Sequence, residues 1–163
     1  MAGRLALFDT GYQSVSAVQD LLELKLAAGQ TAVLHSVRVM QSSLETSTSP
    51  EQVQINLKRA GGSYTAGSGG GTATAVKFGS SVAQAHGLAT ANRNNTTQAA
   101  VGTGTFETLW PGVFSELAGE WEFTPVPEDR PEIVNQEAFI LSLDEAPAAA
   151  RTLRAIALIE IKG

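Results

Sequence analysis

The segment Gln52-Val53-Gln54-Ile55-Asn56-Leu57-Lys58 decides the fold. Val53, Ile55 and Leu57 fall on one side, and Gln52, Gln54, Asn56 and Lys58 on the other. That is the period of a half-buried β-strand. Working outward, the same pattern recurs. Leu22, Leu24 and Leu26 alternate with Glu23 and Lys25, and Thr31 to Met40 places Val33, His35, Val37 and Val39 on one face. Trp121 and Phe123 alternate with Glu120 and Glu122. Two strongly apolar strands close the chain, Ala138 to Leu143 and Leu153 to Ile161, joined by the small-residue turn Asp144-Glu145-Ala146-Pro147-Ala148-Ala149-Ala150. A short strand at Thr74, Val76 and Phe78 and a weak one around Thr96 to Val101 bring the total to roughly eight. No amphipathic segment of helical period lies between the strands, as parallel crossovers require. The fold class is therefore all-β, a two-sheet antiparallel sandwich, with the jelly roll as its natural closure.

The chain has 163 residues, a size expected of one domain. It has no cysteine, which excludes disulfides, thiolate catalysis and cysteine-bearing metal sites. A net charge of -5 argues against binding a phosphate backbone, so nucleic acid is not an expected partner. Only 17% of residues are charged, against a norm of roughly 25%, and so mild a surface suggests contact with other protein. No apolar run is long enough for a membrane span, and the opening Met1-Ala2-Gly3-Arg4-Leu5-Ala6-Leu7-Phe8-Asp9 is too short an apolar run for a signal peptide.

Residues 1–12 read as an N-terminal arm and 13–163 as one sandwich domain. Two stretches rich in Gly, Ser, Thr and Asn, near 60–75 and 79–104, read as flexible loops that cannot order themselves alone. The apolar run Phe106 to Leu117 contains Pro111-Gly112, which is expected to break any single regular element.

Chemistry finds little purchase. His35 and His86 are the only histidines; His35 alternates with valines as a half-buried strand residue, and His86 sits in a polar loop. No carboxylate stands at a ligand spacing from either, so no metal is expected. Glu120 and Glu122 read as a solvated strand face, and Glu128, Asp129 and Glu132 as local partners of Arg130. Gly67, Gly69, Gly70 and Gly71 lack the Lys-Ser/Thr ending of a phosphate loop, and there is no Gly-x-Ser-x-Gly elbow. No catalytic residue, cofactor or enzymatic activity is expected.

One stretch is distinctive: Trp121-Glu122-Phe123-Thr124-Pro125-Val126-Pro127-Glu128-Asp129-Arg130-Pro131. With the strand Ala138–Leu143, the turn Asp144-Glu145-Ala146-Pro147 and the ending Ile159-Glu160-Ile161-Lys162-Gly163, it resembles small tailed-phage and prophage virion proteins. The order of an early Leu-rich strand, a Val-rich strand and the segment Val53 to Arg59 before a Gly/Thr loop is similar as well. The resemblance implies a capsid decoration (cement) protein with a jelly-roll-like fold. Such a protein would sit as a homotrimer on threefold or quasi-threefold axes of the mature head, made in the host cytoplasm and placed on the capsid exterior. Its partner would be the major capsid protein, with no membrane or nucleic acid involved.

Two other functions fit the same residues: a tail, baseplate or fibre-knob module, and a carbohydrate-binding jelly roll using Trp110 or Trp121 as a stacking platform. The residues expected to touch a partner, in the trimer or on the coat, are Arg4, Leu7 and Phe8 of the arm, with Leu109, Trp110, Val113 and Phe114 of the Pro-interrupted run.

Overall fold

The computed structural model describes residues 4–42, 51–77 and 88–162. His86, Phe78 and most of the polar loop before Pro50 lie outside them. The strands are β1 (Arg4–Asp9), β2 (Gln13–Val15), β3 (Gln19–Leu26), β4 (Thr31–Gln41), β5 (Gln52–Gly61), β6 (Gly71–Thr72), β7 (Thr74–Lys77), β8 (Leu88–Asn95), β9 (Thr105–Ser115), β10 (Glu120–Phe123), β11 (Glu132–Val134), β12 (Ala138–Leu143) and β13 (Arg151–Lys162). A 3-10 turn, Pro127–Asp129, precedes β11.

Two antiparallel sheets form. One runs β10-β4-β13-β1-β7, with β11 beside β10 on the free edge of β4 and β2 continuing β1 along β13; the other runs β6-β8-β3-β12-β5-β9. Taking β1 with β2, and β10 with β11, as interrupted single strands leaves eight principal strands paired first with last, second with seventh, third with sixth and fourth with fifth. This is one long nested hairpin wrapped into two sheets, which is the jelly roll. The remaining strands, β6, β7 and β8, come from the excursion between β5 and β9. β7 covers the outer edge of β1, and β8 covers that of β3.

The alternating residues meet between the sheets. Val53, Ile55 and Leu57 of β5 and Leu22, Leu24 and Leu26 of β3 share the inner face of their sheet, meet the inward residues of β13 across the sandwich, and are buried with them in one cluster. Trp121 and Phe123 close that core from β10.

Three expectations are overturned. Residues 4–9 are not an arm: β1 lies between β13 and β7, and Phe8 is in the core. An apolar segment with alternating burial is a strand wherever two edges are available to pair it. Residues 105–115 form one strand despite Pro111, because among the described residues β9 pairs only with β5, which leaves its other edge unpaired. A missing N–H costs little there.

The third correction concerns the loops. The stretch at 60–75 does not hang free. Thr65 and Ala100 exchange backbone hydrogen bonds of 2.8 and 2.9 Å, and Ser68 and Thr97 exchange two of 3.0 Å. These segments form a third layer on the outer face of the β3-β12-β5 sheet, where Ala60, Tyr64, Ala138 and Ile140 make a second small core. Gly70 and Gly104 are needed for contact: a Cβ there would strike the carbonyls of Arg93 and Gly61. Within the excursion, the strand is Leu88–Asn95 rather than Thr96 to Val101.

Candidate functional site

The residues expected to touch a partner divide by how deep each lies in the sandwich, not by strand parity: Phe8 shares its parity with Arg4, and Phe114 with Trp110. Arg4 is exposed at the start of β1 and Leu7 is half-buried on its outer side, whereas Phe8 points inward. On β9, Trp110 is 49% and Val113 53% exposed, while Phe114 is 1% exposed in the core. Phe8 and Phe114 are therefore withdrawn as partner contacts. The register of β9 slips at Leu109, so that Leu57 opposes Trp110 while Lys58 opposes Thr108. Leu109 is the extra residue of a bulge and packs half-buried against the core. Bulges re-aim side chains, and this one sets Trp110 opposite Leu57 on the inner face of β9, at the rim of the sandwich where half of it stays in water.

Trp110 leans on Phe123, ring centroids 5.1 Å apart and planes at 42°. Two residues on, Gly112 lies against the indole of Trp121, close enough that a Cβ would overlap the ring. The edges of the two sheets thus meet through aromatic contacts, and a groove of about 630 Å³ opens beside them. Leu109 and Trp110 form one wall; Glu122, Phe123, Thr124, Pro125, Val126, Asp129 and Pro131 form the other. Val126 (56% exposed) lines it, and Leu117 (69%) lies just beyond the end of β9. Neither was among the residues expected to touch a partner: Leu117 closes the apolar run beyond the end of β9, and Val126 is enclosed by prolines.

The polar side of the groove is acidic. Arg38 Nε is 2.7 Å from Glu120, and its terminal nitrogen donates to Glu122 at 3.0 Å. One guanidinium shared by two carboxylates leaves a net negative charge. Thr124 donates its hydroxyl to Glu122 at 2.6 Å; that bond first, and Arg38 second, hold the Glu122 carboxyl below its ordinary range. Asp129 makes no ion pair among the described residues, nor does Arg130, whose expected pairing with its acidic neighbours is not formed.

A second polar cluster lies under the outer layer. Glu23, 0% exposed, accepts from Tyr64 Oη at 2.9 Å, Gly67 N at 3.0 Å and Asn95 Nδ2 at 3.0 Å. Asp20 accepts from Ala99 N at 2.6 Å, and burial, with the Glu23 charge adding to it, pushes its carboxyl up to about 7. Asp144 is partly buried, which alone would raise it, but Lys58 at 2.7 Å and Asn56 at 2.6 Å outweigh that and hold it low. These carboxylates fasten segments 62–71 and 96–104 to the sandwich. Alternation places Glu23 outward, as expected, but outward here means beneath a third layer.

His35 is a half-buried strand residue whose Nε2 lies 3.1 Å from Glu160. Among the described residues no group of three His, Asp or Glu side chains is placed to hold a metal ion. No helix of the described residues is long and apolar enough to cross a membrane. A scan against protein-family models, a search of curated proteins and a search of solved structures each gave no match.

Proposed function

We propose that the chain is a structural virion component, a decoration protein that binds the outside of a mature phage head as a trimer at threefold or quasi-threefold positions. The observation that carries the reading is the set of large apolar side chains exposed along one edge of the jelly roll. Trp110, Val113 and Leu117 project from or just beyond β9 with about half or more of their surface in water. Large apolar side chains left in water together along one edge strand mark a candidate protein contact site. The sequence order around Trp121 to Pro131 supports the same reading, as does a surface poor in charge.

A decoration protein acts by preferring the expanded coat to its precursor, since only differential affinity shifts an equilibrium. Bound at a hundred times its dissociation constant, it stabilises the coat by about 2.7 kcal/mol per site. The test adds purified protein to undecorated expanded heads and to precursor heads, then heats both. Selective binding to expanded heads with a higher disruption temperature is the expected result. Equal binding to both, or an unchanged temperature, moves the assignment to a tail or fibre module.

A further inference from the structure

We infer that the groove between β9 and the 122–131 segment is a docking site for an extended peptide segment of another protein that carries Lys or Arg among apolar residues. The inference shares Trp110 with the coat reading but does not rest on it, because the chemistry of the groove alone selects the ligand.

Two properties coincide there. The floor and walls are apolar, with Trp110 and Val126 exposed, Leu109 half-buried and the buried Phe123 beneath them. Among the described residues, the only ionisable groups lining it are Glu122 and Asp129. Arg38 does not cancel Glu122, because it is shared with Glu120 at 2.7 Å. Asp129 has no ion-pair partner among the described residues, and the adjacent Arg130 does not line the groove. A neutral sugar could stack on Trp110 and donate hydroxyl hydrogen bonds to the carboxylates, but it would leave the net negative charge of the Arg38-shared Glu122 and of Asp129 unneutralised. A cationic side chain gains from both features: the indole face attracts a guanidinium or ammonium, and the carboxylates complete its coordination.

The shape also suits an extended chain. Among the described residues β9 hydrogen-bonds to β5 on one side only, so the N–H and C=O groups along its other edge are available to a ligand backbone. Pro111 removes one donor from this edge, which disfavours continuous strand pairing between copies and leaves short, side-chain-directed contacts. The opposite wall, Thr124 to Pro131, is fixed by its prolines and by the Leu34 N–H bond to the Pro131 carbonyl at 2.9 Å. A groove already shaped on both sides binds without a large ordering cost.

The test selects a random dodecapeptide library on the immobilised protein in parallel with the Trp110→Ala variant. Enriched peptides are then synthesised and titrated by calorimetry. Sequences bearing Lys or Arg beside Pro, aliphatic or aromatic residues are expected, with affinity falling several-fold between low and physiological salt. Trp110→Ala should weaken them about tenfold. The double variant Glu122→Gln with Asp129→Asn should weaken them about fivefold and flatten the salt dependence. It leaves the aromatic contacts intact, so it tests the charge argument even if Trp110→Ala perturbs the edge. No enrichment over the Trp110→Ala selection, enriched peptides without cations, or unchanged binding to the double variant overturns the inference. Maltotriose or chitotriose binding that Trp110→Ala abolishes, with no peptide selected, reassigns the groove to carbohydrate. Failure on phage heads alone leaves peptide binding standing, so the two readings fail separately.

Discussion

Tyr64 donates its hydroxyl to the carboxylate of Glu23 at 2.9 Å, joining the layer above the sheet to the middle of β3. A carboxylate with no solvent contact is tolerable only when its lone pairs are taken up. Gly67 N and Asn95 Nδ2 supply the other donors at 3.0 Å each. Burial raises the Tyr64 phenol above its ordinary value, and Glu23 raises it further, so the phenol remains the donor at all ordinary pH. Lys25, 5.0 Å from the Tyr64 ring centroid, holds the other side of the ring. The outer layer is thus attached by a polar bolt with a small apolar core beside it.

Removing the hydroxyl should loosen that bolt. Tyr64→Phe keeps the ring contact with Phe106 but leaves Glu23 short of one donor. A lost hydrogen bond to a buried charge costs about 1.5–3 kcal/mol. Urea denaturation should show that loss, and hydrogen exchange should show the amides of Gly67 and Ala100 exchanging faster than those of β12. Uniform acceleration across both sheets would mean that the layer and the sandwich unfold as one unit.

Stability should fall as pH rises from about 4 to about 7. Asp20 titrates near 7 in the folded chain and near 3.8 when unfolded, so between those values the folded state holds a proton that the unfolded state has released. The unfolded state binds fewer protons there, and linkage makes the slope negative. Asp9 and Asp144 are shifted in the opposite direction, so their stabilisation is lost only as pH falls below the ordinary carboxylate range. Asp20→Asn keeps an acceptor for Ala99 N and removes the charge. It should raise stability by roughly 2–4 kcal/mol at pH 8 and change little at pH 3.5. Urea midpoints of the two proteins at both pH values decide it; parallel pH profiles would refute the assignment.

Strands with strict alternation and large apolar residues were legible in the sequence. β5, β12 and β13 stand close to where Val53 to Leu57, Ala138 to Leu143 and Leu153 to Ile161 put them, because burial between two sheets imposes period two. What escaped is where context reverses a local signal. Pro111 is disruptive in a central strand and harmless on an edge, and sequence does not label edges. Leu88 to Asn95 is built of small and polar residues because its neighbours on the sheet surface are chain segments and polar groups. Glycines such as Gly70 read as freedom but serve close approach. At the groove, Trp110 was legible as a candidate, whereas its acidic partner Asp129 was assigned to Arg130 instead.

The position of β1 makes a clear prediction about truncation. Phe8 is 1% exposed, and β1 hydrogen-bonds to both β13 and β7. Phe8→Ala should cost about 3–5 kcal/mol, as emptying a core aromatic site does. Deleting residues 1–9 should leave a protein without a cooperative melting transition, read by calorimetry. A deletion variant that melts normally would mean that β1 adds nothing to the sheet.

Gly112→Ala tests the seam between the sheets. Its Cβ would overlap the Trp121 indole, a buried ring that cannot swing away without opening the core. Overpacking of this kind costs about 1–3 kcal/mol. The Trp121 emission should shift as its ring is displaced, with Trp110→Phe as background to isolate that signal. An alanine variant with wild-type stability and emission would show that the two edges part without cost.

Trp110 and Phe114 sit on the same strand and should respond oppositely to truncation. Phe114 faces inward in the main core, so Phe114→Ala should lower stability by about 3–5 kcal/mol. Trp110 keeps half its surface in water and touches the fold chiefly through Phe123. Losing that aromatic contact should cost only about 1 kcal/mol. If the exposed side of Trp110 belongs to a partner surface, the larger effect appears in association instead. Sedimentation at micromolar concentration should then show trimers for the wild type and smaller species for Trp110→Ala at nearly unchanged melting temperature. Phe114→Ala, studied below its own transition, should retain the trimer, because its side chain reaches no surface. A monomeric wild type would remove the trimer from the coat reading, while a large melting loss in Trp110→Ala would make the residue part of the fold rather than of an interface.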